Sequence, residues 1–421
     1  MTEIDKTRQE FLCTRERTEC LSSLLTEEDH LLQSMPETSP TKWHLAHTAW
    51  FFDTFLLQPR GIVTQSDDAY EFLFNSYYNA IGPQYQRGRR GLISRPGLQE
   101  VKHYRRAIDA ALYDHWHTFN ADEMELITLG IHHEQQHQEL IITDIKHALF
   151  FNPTYPAIVN TQPDDAVFFQ GADAIAPTQI RFHDFERGNY CIGSDTSFCF
   201  DNEMPRHNVF MNGFRIANRP ASNGDYLEFI EDGGYQCFRY WLSEGWAWVN
   251  EQRAEAPLYW LRVDNQWMHY TLAGLRPLDL NEPVCHLNYY EAAAFAHWSG
   301  KRLPTEFEWE VAAATAKPNG NFLDCKQLHP QAAITTDPSR PAQMFGDVWE
   351  WTQSAYLPYP GFRETPGAAG EYNGKFMVNQ WVLRGGSCAT PPGHIRASYR
   401  NFFPVNASWQ FSGVRLADDL N

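Results

Sequence analysis

Ile131-His132-His133-Glu134-Gln135-Gln136-His137-Gln138-Glu139-Leu140 lies in the middle of a stretch, residues 121–150, in which proline and glycine are sparse. Met124, Leu126, Ile127, Ile131, Leu140, Ile141, Ile145 and Leu149 recur there at roughly helical spacing, so the stretch reads as one long helix. On that helix His133 and His137 stand one turn apart on the same face and can converge on one metal ion. Working outward, residues 98–113 also read as helical. Ser39-Pro40-Thr41-Lys42-Trp43 reads as the start of another helix with proline near its first turn, and Pro36 and Pro40 separate it from an earlier helix over residues 5–34. Four helices joined by loops imply an antiparallel bundle over residues 1–150. Residues 61–96, rich in Gly, Arg, Tyr and Asn, interrupt the helical pattern, and a loop of that length inside a compact domain points to function.

The grammar changes further on. Residues 151–177 carry Pro, Asp and Thr with little periodicity and read as a linker. From residue 178 to 421, short strand-like runs alternate with Gly- and Asn-rich turns. Only three segments there read as helical: 221–231, 288–298 and 305–314, the last opened by a capping box of Thr305 and Glu308. The expected fold class is therefore multidomain, an all-α four-helix bundle followed by an irregular α+β domain.

Composition narrows the function. The 421 residues carry 34 Lys+Arg against 52 Asp+Glu, a formal charge of −18, which argues against nonspecific nucleic-acid binding. Aromatic content of 14% demands a packed interior or a lined pocket. The N-terminus lacks the apolar core of a signal peptide, and the most apolar windows, such as residues 46–57, fall short of a membrane span. Eight scattered cysteines form no CxxC. A cytoplasmic protein with free thiols is expected.

Ten of the seventeen histidines fall in the first 150 residues. A second pair, His44 and His47, sits on the helix that begins near Pro40, and one of the two completes a three-histidine site with His133 and His137. His47 is favoured, because Trp50 and Phe51 follow it on the buried side. All-imidazole ligation suits iron, zinc or copper without choosing among them. His133-Glu134-Gln135-Gln136-His137 also matches the H-E-x-x-H pattern of zinc proteases. No Gly-x-x-His continuation follows, which leaves a protease as the runner-up on motif alone.

The histidine helix followed by Arg302-Leu303-Pro304-Thr305-Glu306-Phe307-Glu308-Trp309-Glu310, Gly346-Asp347-Val348-Trp349-Glu350-Trp351-Thr352, Leu383-Arg384-Gly385-Gly386-Ser387 and Gly413-Val414-Arg415-Leu416 resembles the nonheme iron sulfoxide synthases of ergothioneine biosynthesis. The resemblance covers nearly the whole chain. It implies a DinB-like bundle in the first half and a formylglycine-generating-enzyme domain, a variant of the C-type lectin fold, in the second. Formylglycine-generating enzymes work through two cysteines close after Gly-Gly-Ser. Here Cys388 is followed by none, so that activity is not expected.

The resemblance also implies roles. His47, His133 and His137 match the Fe(II) ligands, with open positions for O2 and a thiolate. Gln136 matches the residue that binds the imidazole of hercynine. Asn401 and Phe402 match those that hold its betaine end, where an aromatic face suits a quaternary ammonium. Members that use γ-glutamylcysteine carry an Asp directly after that pair. Phe403 stands here instead, and a buried unpaired ammonium would be costly, so the chain resembles the free-cysteine branch. Arg87 and Arg90 are expected to clamp the cysteine carboxylate, and Tyr77 or Tyr78 to donate the proton that steers the reaction to C–S bond formation. Adjacent residues on an extended segment point opposite ways, so only one of the two is expected to face the iron. The expected function is the O2-dependent joining of cysteine to C2 of hercynine. The alternatives are a synthase using γ-glutamylcysteine or a selenium donor, a thiol dioxygenase, and a noncatalytic lectin-like binding module.

Overall fold

The computed structural model describes residues 2–62, 64, 67–159, 179–196, 198–323, 328–333, 340–367 and 370–420. From residue 160 onward the linker expected over 151–177 lies outside them. The chain forms two units: Met1–Thr154 with Thr365–Tyr372, and Tyr155–Glu364 with Asn373–Asn421. The short segment Thr365–Tyr372, which the sequence leaves among the strands of the second half, thus packs with the helices.

In the first unit the long helices are α1 (Glu3–Ser23), α2 (Thr41–Phe52), α4 (Leu98–His115) and α5 (Ala121–Phe150), with a single short helix α3 (Ala69–Phe74) between α2 and α4. The helix expected over 5–34 is shorter, because the chain turns after Ser23 and makes only a 3₁₀ turn at Asp29–Leu31. Helix α2 packs on both α4 and α5, and α1 packs on α5. All twelve residues of α2 are buried, the mark of a helix enclosed on every side. It runs into a π-helical turn, Asp53–Leu57, a feature common near functional sites.

Helix α5 starts at a capping box in which Asn120 Oδ1 accepts from the Glu123 N–H at 3.0 Å and Glu123 Oε2 accepts from the Asn120 N–H at 2.8 Å. Its Gly130 is a contact residue. A Cβ there would stand 2.5 Å from the Phe52 ring and 3.0 Å from Phe51, so α5 crosses α2 at a distance only glycine permits.

Towards α1 and α4, α5 presents Glu134. Its carboxylate accepts from Arg15 Nη1 at 2.6 Å, Arg105 Nη2 at 2.8 Å and the Thr18 hydroxyl at 2.6 Å. Arg105 Nη1 also donates to the Leu45 carbonyl (2.9 Å) and Thr48 Oγ1 (2.6 Å) of α2. One buried carboxylate therefore ties all four long helices. Burial alone would raise the Glu134 carboxyl, but Arg15, Arg105 and Thr18 hold it at about 2, below its ordinary 4.5.

Among its described residues the second unit holds four small sheets. In chain order its strands are β1 (Phe182–Phe185), β2 (Gly188–Ile192), β3 (His207–Met211), β4 (Phe214–Ala217), β5 (Trp260–Val263), β6 (Gln266–Thr271), β7 (Gly274–Pro277), β8 (Trp349–Ala355), β9 (Trp381–Arg384), β10 (Asn401–Phe403), β11 (Ser412–Gly413) and β12 (Ala417–Asp419). They are ordered β1-β4-β12, β10-β9-β8-β11, β2-β3 and β5-β6-β7, and only β11 on β8 is parallel. The helices are α6 (Asn223–Glu231), α7 (Ser243–Gln252), α8 (Tyr289–Trp298) and α9 (Glu306–Ala313). Helix α7 has no side-chain cap and carries Gly245 in its first turn, and it is not among the three segments that read as helical. The glycine is there because a Cβ would meet Tyr290 of α8 at 2.8 Å.

The four sequence signatures of this unit meet through buried ion pairs. Glu306 pairs with Arg384 at 2.8 Å and with Arg400 at 2.8 and 3.0 Å. Glu350 accepts from Arg415 at 2.7–3.0 Å and from the Trp309 indole at 2.6 Å. Thr305 and Glu308 form the expected capping box, and Glu308 takes both nitrogens of Arg302 at 2.7 and 2.8 Å. These acidic residues are structural: each spends its oxygens on an arginine of another signature or of its own.

Two outcomes follow for the helical unit. Gly130→Ala, which helix propensity alone would favour by about 1 kcal/mol, should instead destabilise by about 1–3 kcal/mol through overpacking, read as a lower denaturant midpoint. Glu134→Ala should cost about 3–5 kcal/mol by stranding two buried guanidiniums. In the unaltered chain the unfolded state takes up a proton at this carboxylate near pH 4.5, whereas the folded state does so only near 2. Its stabilising contribution is therefore full above pH 4.5 and is lost as the pH falls towards 2. Acid unfolding followed by circular dichroism should show that loss.

Candidate metal centre

Helix α2 supplies His47 and α5 supplies His133 and His137, and one nitrogen from each lies within 4.8 Å of the others. The hydrogen bonds fix which nitrogen each ring offers. His47 Nδ1 stands 2.6 Å from the Phe74 carbonyl, so it carries the proton and Nε2 keeps its lone pair. That Nε2 faces His133 Nε2 at 3.1 Å. His44 Nε2 stands 3.1 Å from Asp144 Oδ2 and its Nδ1 stands 2.8 Å from His137 Nδ1. A neutral His44 donates to the carboxylate through Nε2 and accepts through Nδ1, so His137 donates through Nδ1 and offers Nε2.

Burial pushes His133 down to about 4 against the pull of Glu134, and burial with neighbouring imidazoles holds His47 and His137 well below 6.5. All three are neutral at pH 7, the form that binds metal. Without a metal, the His133 Nε2–H donates across that 3.1 Å contact to His47 Nε2; shifting its proton to Nδ1, which has no partner, turns both Nε2 lone pairs to a cation. The donor set therefore fits an imidazole-seeking transition ion.

Aromatic rings frame the cluster at helical spacing. The His47 ring lies near-parallel to Trp43 (4.5 Å, 14°) and to Trp50 (5.5 Å, 16°), four residues before it and three after. Phe51 lies 4.7 Å from His133. Glu134, the acid of the H-E-x-x-H pattern, is committed to Arg15, Arg105 and Thr18. It is not free to act as a general base, and the protease alternative falls.

Tyr77 and Tyr78 point to different surroundings. Tyr78 is buried against Trp50 (5.8 Å), Phe51 (6.4 Å) and Phe55 (4.9 Å), and burial raises its phenol. Tyr77 accepts a hydrogen bond on its phenol oxygen from Arg87 Nη1 at 2.6 Å, and the second Arg87 nitrogen donates to the Glu37 carbonyl. The two arginines thus have separate partners. Arg90 is buried with its guanidinium 3.4 Å over the Trp43 ring, donating to Ser39 Oγ at 2.9 Å and Ser76 Oγ at 3.2 Å. Its Nε has no partner and no carboxylate is within ion-pair distance among the described residues, and burial pushes it down to about 9. Gln136 is half-buried on α5 between His133 and His137.

One contribution was not legible in the sequence. Glu371 accepts from the backbone N–H groups of Asn79 (2.8 Å) and Ala80 (3.1 Å), and the Tyr372 ring lies 5.9 Å from Tyr77. A late segment so shapes the tyrosine loop, with no signal beyond a Glu-Tyr pair in a glycine-rich stretch. In the second unit, Asn401, Phe402 and Phe403 form β10, paired with Leu383, Val382 and Trp381 of β9. Phe402 stacks on Tyr356 at 4.2 Å with Phe376 at 5.7 Å, and Phe403 meets Trp409 edge-on at 5.6 Å.

Comparison with known proteins settles the family. Residues 184–338 and 336–420 match the FGE-sulfatase family, described as the sulfatase-modifying factor enzyme 1-like domain. The chain is 31% identical to hercynine oxygenase of Mycolicibacterium smegmatis over 98% of both chains. It belongs to the hercynine oxygenase family. Hercynine oxygenase of Mycobacterium tuberculosis is also 31% identical, over 91% of this chain and 92% of its own. Ergothioneine biosynthesis protein 1 of Schizosaccharomyces pombe is 32% identical over 52% of this chain and 27% of its own. As a member of the hercynine oxygenase family the chain is an oxidoreductase. No helix among the described residues is long and apolar enough to cross a membrane. Cys388, after the Gly-Gly-Ser of the FGE-sulfatase domain, is buried.

The hydrogen bonds behind His137 give a test. Replacing the orienting groups, as His44→Ala or Asp144→Asn, should weaken metal binding about 10–100-fold each, and less than additively together because they act in series. Competition titration of the metal-free chain would show it, and unchanged affinity would show that the pair does not orient the ligand.

Proposed function

We propose that the chain is a sulfoxide synthase that uses O2 to join the sulfur of cysteine to C2 of the hercynine imidazole, giving hercynylcysteine sulfoxide on the way to ergothioneine. Fe(II) is the metal, held by His47, His133 and His137. The observation that carries this reading is three neutral imidazoles turned on one point, in a chain 31% identical to a hercynine oxygenase along its whole length. Bound Fe(II) would supply dioxygen activation and a site for the thiolate.

The chain's own residues then take these parts. Arg90, a buried cation without a carboxylate partner, binds the cysteine carboxylate, while Trp43 and the two serines hold its guanidinium in place. Tyr77 is the proton donor. Its oxygen accepts from Arg87, which stabilises the charge left behind once the proton is given. Tyr78, enclosed by aromatics, keeps its proton. Gln136 binds the hercynine imidazole. Asn401 and Phe402 are assigned to the betaine end on the family motif, and apolar Phe403 offers no counter-charge for a glutamyl ammonium, which favours free cysteine.

Oxygen uptake by anaerobically iron-loaded protein, with hercynine and either cysteine or γ-glutamylcysteine and mass detection of product, tests this reading. Uptake with cysteine and a sulfoxide adduct is expected. Adduct only with γ-glutamylcysteine would overturn the role of Phe403, and uptake with cysteine alone would make the chain a thiol dioxygenase. A selenium donor in parallel decides between chalcogens. In the same assay Tyr77→Phe should divert product from the adduct to oxidised cysteine while Tyr78→Phe does not. The reverse pattern would move the proton to Tyr78.

A further inference from the structure

A second cluster of metal-ligating side chains lies in the second unit, and nothing in the reaction above uses it. His269 on β6, Glu282 in the connection leading to α8, and His329 are all buried. One ligand atom from each lies within 4.8 Å of the other two. His329 Nε2 is 3.0 Å from Glu282 Oε2, and the His269 and His329 rings meet edge to face at 4.9 Å.

Two imidazoles and a carboxylate are a ligand set for zinc. Around a tetrahedral ion with bonds of ~2.0–2.2 Å, ligand atoms stand about 3.3–3.6 Å apart, so the side chains need only small rotations to admit one. Both Arg276, opposite His269 on β7, and Asp347 act electrostatically on Glu282; among the described residues the cluster offers two nitrogens and one carboxylate, whereas calcium or magnesium takes a shell of oxygens.

The three ligands are also held independently. His269 is fixed in the ladder between Trp260 and Arg276. The Glu282 carbonyl accepts from the Asn223 N–H at 2.8 Å. The His329 carbonyl accepts from Asn321 Nδ2 at 2.8 Å, and Asn321 and the Gln331 N–H both donate to Asp347 Oδ1, at 2.8 and 2.9 Å. The backbone just after the His329 side chain is therefore anchored to Asp347, directly at Gln331 and through Asn321 at the His329 carbonyl, the kind of outer support that fixes a ligand's direction.

We propose that His269, Glu282 and His329 form a structural zinc site that pins β6, the approach to α8 and the His329 segment to one another. The test uses the full chain with the first site removed, as the H47A/H133A variant, stripped with chelator and equilibrated with Zn²⁺. Elemental analysis should find one zinc per chain, and zinc should raise the melting temperature. Adding His269→Ala and His329→Ala should remove that equivalent. Because those changes risk misfolding, Glu282→Gln in the same background serves as the milder variant. It keeps size and a hydrogen-bonding oxygen, and should weaken zinc binding at least tenfold with the circular dichroism spectrum unchanged. Less than one zinc per chain in H47A/H133A, or zinc affinity unchanged by Glu282→Gln, would overturn the proposal. The first site is absent throughout, so failure here leaves the proposed reaction untouched.

Discussion

The carboxylate of Glu134 is the constraint on which the helical unit depends. A buried charge is tolerable only where its partners satisfy it fully, and here the partners come from α1 and α4, while one of them, Arg105, also grips α2. Meeting that demand fixes the rotation of α5. Once α5 is rotated so that Glu134 reaches two arginines, His133 and His137 turn towards α2, and Gly130 sits where the phenylalanines of α2 pass. The histidine face and the ion-paired face belong to the same helix and cannot be set separately. A short motif that reads as catalytic in proteases is divided here: its histidines join the three-histidine cluster, and its glutamate holds the helices together.

Around the histidines, orientation is built from ordinary groups. A backbone carbonyl at Phe74 fixes one ring, and Asp144 acting through His44 fixes another. The histidine pair on α2 thus has two roles, one residue facing the cluster and the other standing behind it. The indoles of Trp43 and Trp50 hold His47 by stacking, and Trp43 also carries the Arg90 guanidinium. A single aromatic side chain so links a histidine of the cluster to a cation without a carboxylate partner among the described residues.

Much of this was legible in the sequence because it repeats at helical spacing. The extent of α5, the pairing of His133 with His137, and the placing of a second histidine pair on a helix starting near Pro40 all follow from local period and caps. Other features rest on tertiary contact and leave no such trace. Helix α7 is not among the segments that read as helical, because the sequence does not show that Tyr290 lies against Gly245. The partners of Arg87 were not legible either, because spacing says nothing of the Tyr77 phenol and the Glu37 carbonyl that it meets. Glu371 and Tyr372 are invisible for a plainer reason: nearly three hundred residues separate them from the loop they shape.

That last feature bears on inheritance. The helical unit is discontinuous, completed by Thr365–Tyr372 from deep within the other half of the chain. Its tyrosine loop has two backbone amides satisfied by a glutamate that a gene fragment encoding only the first 154 residues would not contain. The two halves are therefore not interchangeable modules joined at a seam. A recombination event that swapped one half for a distant relative's would exchange part of the other half's loop architecture with it, so divergence in the two must proceed together.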